Sequence, residues 1–249
     1  MMKKTIFISG ATSGIGRKMT EMLIEQGHTV YATGRNEVAI KALQQLGAIA
    51  IKGDMRSRDD INRITAQLPH LDVAIINAGL GYFENAYDLT DDEVDQMLEV
   101  NVRAPIYLAK RIAPTMMQKQ NGHFIFIGSQ AGKVATKKAS VYAASKHAIT
   151  GFVNGLRLEL AEHNIAVTGI YPGPIDTPFI QKADATNAYR NAIQKFLISP
   201  EKVAAEVVRA IEKRPREVNL PRIMSLSSKL YAVAPSVVEF VGKGFFNKK

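Results

Sequence analysis

The chain has no cysteine and no tryptophan. Without cysteine it can form neither disulfides nor thiolate metal sites, which suits a reducing compartment. Its five histidines are scattered without metal-ligand spacing, so no metal centre is expected. No apolar run is long enough to span a bilayer. The short apolar stretch after Met1-Met2-Lys3-Lys4 meets a glycine turn too soon for a signal-peptide core, and no cleavage site follows. The expected location is therefore the cytoplasm. Repeats, low-complexity tracts and Gly/Ser linkers are also missing. The 249 residues are accordingly expected to form a single domain, 1–249, an ordinary size for one α/β core.

Acidic charge is scarce too: 23 Asp+Glu face 32 Lys+Arg, a formal net charge of +9. Such a surface attracts phosphate-bearing ligands. Nucleic acid is not expected as a partner, because no recognition motif or run of interleaved aromatics accompanies the charge. The excess is uneven. Residues 201–249 hold ten Lys+Arg against five Glu.

What is present is alternation. Short β-rich runs at Thr5–Ser9, Thr29–Thr33, Ala48–Lys52, Val73–Asn77, Phe124–Gly128, Ile165–Tyr171 and Glu217–Leu220 alternate with helical patterns, notably Asp91–Met117 and Ala139–Glu162. Nearly continuous apolar strands such as Val73-Ala74-Ile75-Ile76 predict a parallel sheet buried on both faces. Pro105 and Pro114 interrupt the first long helical pattern and predict a kink or an early end. The expected fold is α/β: a Rossmann-like, doubly wound parallel sheet of about seven strands with helices on both faces. Such sheets bind ligands beyond the carboxyl ends of their strands. Gly10, Asn77, Ser129 and Pro172 all fall at such ends.

Gly10-Ala11-Thr12-Ser13-Gly14-Ile15-Gly16 joins the first strand to the first helix. A glycine turn there lets a pyrophosphate approach the backbone and rest on the helix N-terminus. Arg17, just beyond it, is a candidate for a further phosphate contact. The second strand ends in Ala32-Thr33-Gly34-Arg35-Asn36. Sites that select NAD place an acid here to grip the adenosine ribose, whereas this chain has Gly34 followed by a guanidinium suited to a ribose 2′-phosphate. NADP(H) is therefore expected in preference to NAD(H), with Glu37 as a nearby acid able to pair with Arg35.

Tyr142 and Lys146 lie four residues apart and share one helical face. A phenol with an ordinary pKa of about 10 handles protons poorly at neutral pH unless a cation stabilises its phenolate. Lys146 is placed to be that cation. Ser129, at the end of a strand, can present its hydroxyl to the same substrate oxygen.

The Gly-x-x-x-Gly-x-Gly turn, Asn77-Ala78-Gly79, Asn101, Ser129, Tyr142 and Lys146 together resemble the short-chain dehydrogenase/reductase family in its compact branch, from about Lys4 to Pro221. The resemblance implies a catalytic tetrad of Asn101, Ser129, Tyr142 and Lys146, with Asn101 holding a water in a helix distortion. It implies that Asp54 accepts a hydrogen bond from the adenine amino group and that Asn77, Ala78 and Gly79 line the adenosine side. Thr177, after the Pro172-Gly173 turn, would meet the nicotinamide carboxamide. The implied activity interconverts a carbonyl (ketone, aldehyde or 3-oxoacyl group) and an alcohol. A sugar-nucleotide epimerase or a non-catalytic dinucleotide sensor are the alternatives.

Substrate selection is expected from Gln130–Ala135 and from Phe179–Leu197, the latter as a lid with an apolar inner face. Residues 222–249 form a C-terminal extension beyond the common family pattern. Leu226, Leu230, Tyr231, Val237, Phe240 and Phe245 give it apolar faces. A helical extension that forms a homodimer or homotetramer is the first expectation for it. Packing on its own domain comes second, and peripheral membrane contact third.

Overall fold

A computed structural model describes all residues except 1, 185–187 and 242–249. Seven strands form one sheet: β1 (Thr5–Ile8), β2 (Thr29–Gly34), β3 (Ile49–Lys52), β4 (Val73–Ile76), β5 (Gly122–Ile127), β6 (Ile165–Pro172) and β7 (Glu217–Leu220). Their order is β3-β2-β1-β4-β5-β6-β7, and every pairing is parallel. All seven expected strands are present, with ends moved by a residue or two. The strand order reverses between β1 and β4, which opens a crevice at their carboxyl ends.

The helices that cover the sheet are α1 (Gly14–Glu25), α2 (Glu37–Gln45), α3 (Arg58–Ala66), α4 (Asp91–Leu98), α5 (Ala104–Lys119), α6 (Ser140–Leu160), α7 (Pro178–Ala183), α8 (Ala188–Ile193), α9 (Pro200–Lys213), α10 (Ile223–Val233) and α11 (Pro235–Val241). Several begin at side-chain caps. Asn36 accepts from the Ala39 N–H at 2.8 Å, and Thr90 forms a reciprocal capping box with Glu93. Such caps satisfy amide donors that a helix start otherwise leaves unpaired.

Two apolar layers result. On one face, α1 contributes Met19 and Leu23, and α9 contributes Val203 and Val207, over Ile6, Ile8 and Ile75 of the sheet. On the other, α5 contributes Leu108 and Ile112, and α6 contributes Ile149 and Val153, over Phe7, Phe124 and Phe126. Alternate side chains of one strand enter opposite layers, which is why these strands read as unbroken apolar runs.

The long helical pattern from Asp91 is distorted at Asn101, as the family resemblance implies, but it does not end early. Neither proline ends it. Five residues, Glu99–Arg103, are wound as a π-helix between α4 and α5, Pro105 lies in the first turn of α5, and Pro114 sits inside that helix. Proline has no N–H for the carbonyl four residues earlier, which for Pro105 is that of Asn101. Local rewinding accommodates the missing bond without breaking the rod.

Candidate active site

The glycine turn between β1 and α1 is held from across the crevice. Asn77, just after β4, donates through its side-chain amide to the carbonyls of Ser9 at 2.9 Å and Gly10 at 3.0 Å. In return the buried Ser9 hydroxyl accepts the main-chain N–H groups of Asn77 and Ala78 at 3.0 and 3.1 Å. This clamp needs close approach. A Cβ on Gly16 would collide with the Gly10 carbonyl and come within 2.6 Å of the Asn77 amide nitrogen. Gly10, Thr12, Ser13, Gly14, Ile15 and Gly16 then line one end of a cavity of about 800 Å³. The cradle fits a pyrophosphate, because its backbone is bare and it opens at the α1 N-terminus.

Gly34 and Arg35 line the same end. A Cβ at Gly34 would run into the Thr12 side chain, so an acid at this position has no room. Arg35 precedes the α2 cap and is 58% exposed, with its guanidinium 4.0 Å from the Asp54 carboxylate. Glu37 does not pair with it; that acid is occupied by Lys52 at 3.0 Å and Lys41 at 3.7 Å. Arg17 is likewise bound to Glu21 at 2.9 Å and does not line the cavity.

Asp54 lines the cavity but carries a partner that sequence reasoning missed. Arg56 donates to its carboxylate through Nε at 3.0 Å, a guanidinium terminus at 2.8 Å and the main-chain N–H at 2.9 Å. Burial alone would raise the Asp54 pKa; these bonds outweigh it and hold the carboxyl below its usual range.

The chemical end of the cavity is built by the ends of β4 and β5 and by α6. Asn101 is buried in the π-helical turn, and its side chain is fully engaged. It donates to the Leu80 carbonyl at 2.8 Å and the Ser145 hydroxyl at 3.0 Å, and accepts the Leu80 N–H at 3.0 Å. Ser145, also missed, passes this tie to the Tyr142 carbonyl at 2.7 Å. Asn101 thus locks the loop after β4 to α6.

Ser129 accepts the Ala131 N–H at 3.0 Å, and its hydroxyl lies near enough to Tyr142 to act on the phenol's pKa. Tyr142 is buried. Burial pushes its pKa up to about 12, against the lowering effect of the Ser129 hydroxyl. Lys146, also buried, donates to the Ile127 carbonyl at 3.3 Å, and its Nζ lies 5.8 Å from the centroid of the Tyr142 ring. Burial lowers its pKa to about 8. The sequence led us to expect a tyrosine pKa lowered by Lys146. The structure shows the opposite direction, because removing the phenolate from water costs more than any stabilisation it finds here.

Beyond Tyr142 the walls are aromatic. Phe83 and Phe179 approach its ring at centroid distances of 5.5 and 5.9 Å, and Tyr189 meets Phe83 at 4.9 Å. Of the expected lid segment, Phe179, Ile180 and Tyr189 line the cavity; Ile193 is buried elsewhere, and Phe196 is half exposed. Residues 185–187 of that segment lie outside the described residues. Gln130, Ala131 and Val134 also line the wall, while Lys133 turns away to Glu217 at 2.9 Å. Pro172, Gly173 and Thr177 line the cavity near the glycine turn; Thr177 carbons come within about 3.5 Å of a Cβ built on Gly14.

The C-terminal extension contributes what the sequence did not reveal. Met224, Ser227 and Tyr231 of α10 and Val238 of α11 line the cavity. Packing on its own domain, the second expectation for the tail, therefore holds for this side of the hairpin. Phe245 lies outside the described residues. Among the described residues no acid–histidine cluster could hold a metal, and no helix is long and apolar enough to cross a membrane.

A strand-order reversal, a bare-backbone cradle and a Ser–Tyr–Lys group on one cavity define a dinucleotide-dependent oxidoreductase of the doubly wound class. Comparison with known proteins specifies the family. The short chain dehydrogenase family model matches residues 4–188. An uncharacterised oxidoreductase of Staphylococcus aureus is 31% identical over 228 residues, spanning 88% of this chain and 95% of the relative. The bovine (Bos taurus) dehydrogenase/reductase SDR family member 7B is 31% identical over 253 residues, 93% of this chain and 78% of the relative. Among solved structures, a short-chain dehydrogenase from Streptomyces avermitilis superposes with a TM-score of 0.83 at 26% identity, covering 98% of this chain and 99% of that one. A serine dehydrogenase in a closed form with NADP+ gives 0.80 at 30% identity, covering 86% and 93%. The chain belongs to the short-chain dehydrogenase/reductase family of oxidoreductases.

Proposed function

We propose that this protein is an NADP(H)-dependent carbonyl reductase, its substrate an apolar ketone, aldehyde or 3-oxoacyl compound. Residues 1–249 are read as one dinucleotide-binding domain with 222–249 as its extension. The observation that carries the reading is the convergence of Ser129 with the buried Tyr142 and Lys146, which stand one helical turn apart on α6, on the same cavity that begins at the glycine cradle.

NADPH would lie with its pyrophosphate on Gly10–Gly16, its adenosine beside Asp54 and Asn77–Gly79, and its nicotinamide near Pro172, Gly173 and Thr177. The bound nicotinamide supplies a hydride to the carbonyl carbon. Ser129 donates a hydrogen bond to the carbonyl oxygen as negative charge develops there. Tyr142 gives that oxygen its proton, so a carbonyl, NADPH and the tyrosine's proton become an alcohol, NADP+ and a tyrosinate. The phenol is protonated at neutral pH, as reduction requires; the upward shift makes it a weaker acid, so its proton leaves only as the more basic alkoxide develops on the substrate. Lys146, with a pKa near 8, can return a proton to Tyr142 and hold ribose hydroxyls with its remaining donors. Because the Asn101 side chain is committed to Leu80 and Ser145, its proposed water falls to its main-chain carbonyl, whose α-helical donor Pro105 cannot supply.

The 2′-phosphate reading rests on Arg35 beside a residue-34 site with no room for an acid, and on Glu37 being paired elsewhere. The NADP+ complex of the related serine dehydrogenase agrees with it. The walls around Tyr142 favour apolar over zwitterionic substrates. Self-association, common in such enzymes, is included in the reading.

The test is NADPH oxidation followed at the absorbance of the reduced nicotinamide across a carbonyl panel. Turnover of apolar ketones or aldehydes supports the reductase. Tight NADPH binding without turnover of any panel member would favour a sensor instead.

A further inference from the structure

The hairpin of α10 and α11 has two unlike sides. Met224, Ser227 and Tyr231 recur at helical spacing and face the cavity, with Ser228 buried beside them. On the opposite side Leu226, Leu230 and Val233 of α10 continue into Val237, Phe240 and Val241 of α11. Their exposure runs from 54% at Leu230 to 85% at Val233. Singly exposed apolar residues are ordinary, but six in one stripe on two joined helices mark an interaction surface.

Charge decides what covers it. Arg222 and Lys229, both exposed, lie one turn or less from Leu226 and Leu230 and form one edge of the stripe. Residues 222–249 hold five basic side chains and a single acid, Glu239. That acid accepts a 2.8 Å hydrogen bond from the Tyr231 hydroxyl, which ties α11 to α10. A second copy of the hairpin offers the stripe an apolar partner but little for the basic edge, since the segment's single acid is the one held by Tyr231. An anionic lipid surface satisfies both features, with acyl chains for the stripe and headgroups for the basic edge.

We propose that the α10–α11 hairpin docks this protein peripherally on an anionic bilayer, with its apolar stripe in the interface and Arg222 and Lys229 at the headgroups. The proposal does not depend on the reductase reading. Self-association, where it occurs, uses another face. Because the inner side of the hairpin is a cavity wall, docking brings that wall to the bilayer, where apolar carbonyls dissolve.

The test is co-sedimentation of the full chain with phosphatidylcholine vesicles carrying about one-third phosphatidylglycerol, against vesicles of phosphatidylcholine alone. Binding is expected to the anionic vesicles and to be at least about tenfold weaker to the neutral ones, and weakened again by raising salt tenfold. Leu226→Asp/Leu230→Asp/Phe240→Asp should abolish sedimentation while leaving the melting temperature and the light-scattering mass unchanged. Arg222→Gln/Lys229→Gln, with the stripe intact, should weaken anionic-vesicle binding about 30-fold. Failure of the native chain to sediment with anionic vesicles at low salt overturns the proposal, as does equal binding to neutral ones. A mass that falls on substituting the stripe shows that a second copy covers it and overturns the proposal equally. If the triple variant does not fold, the lipid and salt dependence of the native chain still decides.

Discussion

Lys146 Nζ lies 5.8 Å from the centre of the Tyr142 ring, one helical turn along α6, and both side chains are buried. The lysine's only hydrogen bond among the described residues is to the Ile127 carbonyl. A buried ammonium without a carboxylate partner is costly, and the cost appears as a pKa near 8. The pair is thus held ready for chemistry at the expense of stability.

That cost is measurable against pH. Since Lys146 titrates near 8 folded and at its ordinary value of about 10.5 unfolded, the unfolded chain binds more protons between these limits. Its contribution is therefore destabilising below pH 8 and is relieved as pH rises toward 10.5. Lys146→Met should be more stable than the native chain at pH 7 by up to about 3 kcal/mol, since each tenfold loss of proton affinity on folding costs about 1.4 kcal/mol. The gap should close by about pH 10.5. Denaturant titrations at both pH values check this, and a gap independent of pH would show that folding leaves the lysine's proton affinity unchanged.

Tyr142→Phe removes the proposed proton donor while keeping the ring that packs on Phe83 and Phe179. Carbonyl reduction should fall by about 10²–10⁴-fold or more, with NADPH affinity nearly unchanged. Single-turnover rates and cofactor titration separate the two. Near-native turnover in the folded variant would sink the assignment of the proton donor.

Arg35→Ala should weaken NADPH by about 10- to 150-fold, the equivalent of a charge-assisted hydrogen bond of about 1.5–3 kcal/mol. NADH should be barely affected. Fluorescence titration with both cofactors reads the difference. Equal weakening would assign Arg35 a structural role through Asp54, 4.0 Å away.

Gly16→Ala places a methyl against the Gly10 carbonyl and the Asn77 amide. Overpacking of this kind costs about 1–3 kcal/mol, and here the backbone that must yield is the cofactor cradle. Both the unfolding midpoint and dinucleotide affinity should fall together. A variant with native stability and native affinity would show that the clamp between Asn77 and the turn is not needed.

The sheet was legible because a strand buried on both faces has to be apolar throughout, and runs such as Val73–Ile76 and Phe124–Ile127 admit no other reading. The glycine turn and the Tyr142–Lys146 pair were legible because their chemistry depends on local spacing. Ser9 and Ser145 were not. Their roles exist only through Asn77 and Asn101, which are 68 and 44 residues away in the chain. Arg56 stands two residues from Asp54, but nothing in the pattern shows that it, rather than Arg35, grips that carboxylate. The distortion of the helix ahead of Pro105 was legible, because that proline leaves the Asn101 carbonyl without its α-helical donor; that the distortion takes the form of a π-helical turn was not.

The sequence by itself thus determined the order of strands and helices along the chain, the bare-backbone turn and the side chains proposed to react, since each follows from periodicity or from spacing within one element. Tertiary structure alone decided the protonation tendencies of Tyr142 and Lys146, because desolvation depends on how much of the rest of the chain is packed around a group. It alone also decided which face of the C-terminal hairpin meets the cavity and which meets solvent. An amphipathic pattern announces that a helix has two faces; only the docking of that helix against β7 and the Gly173 turn says what each one touches.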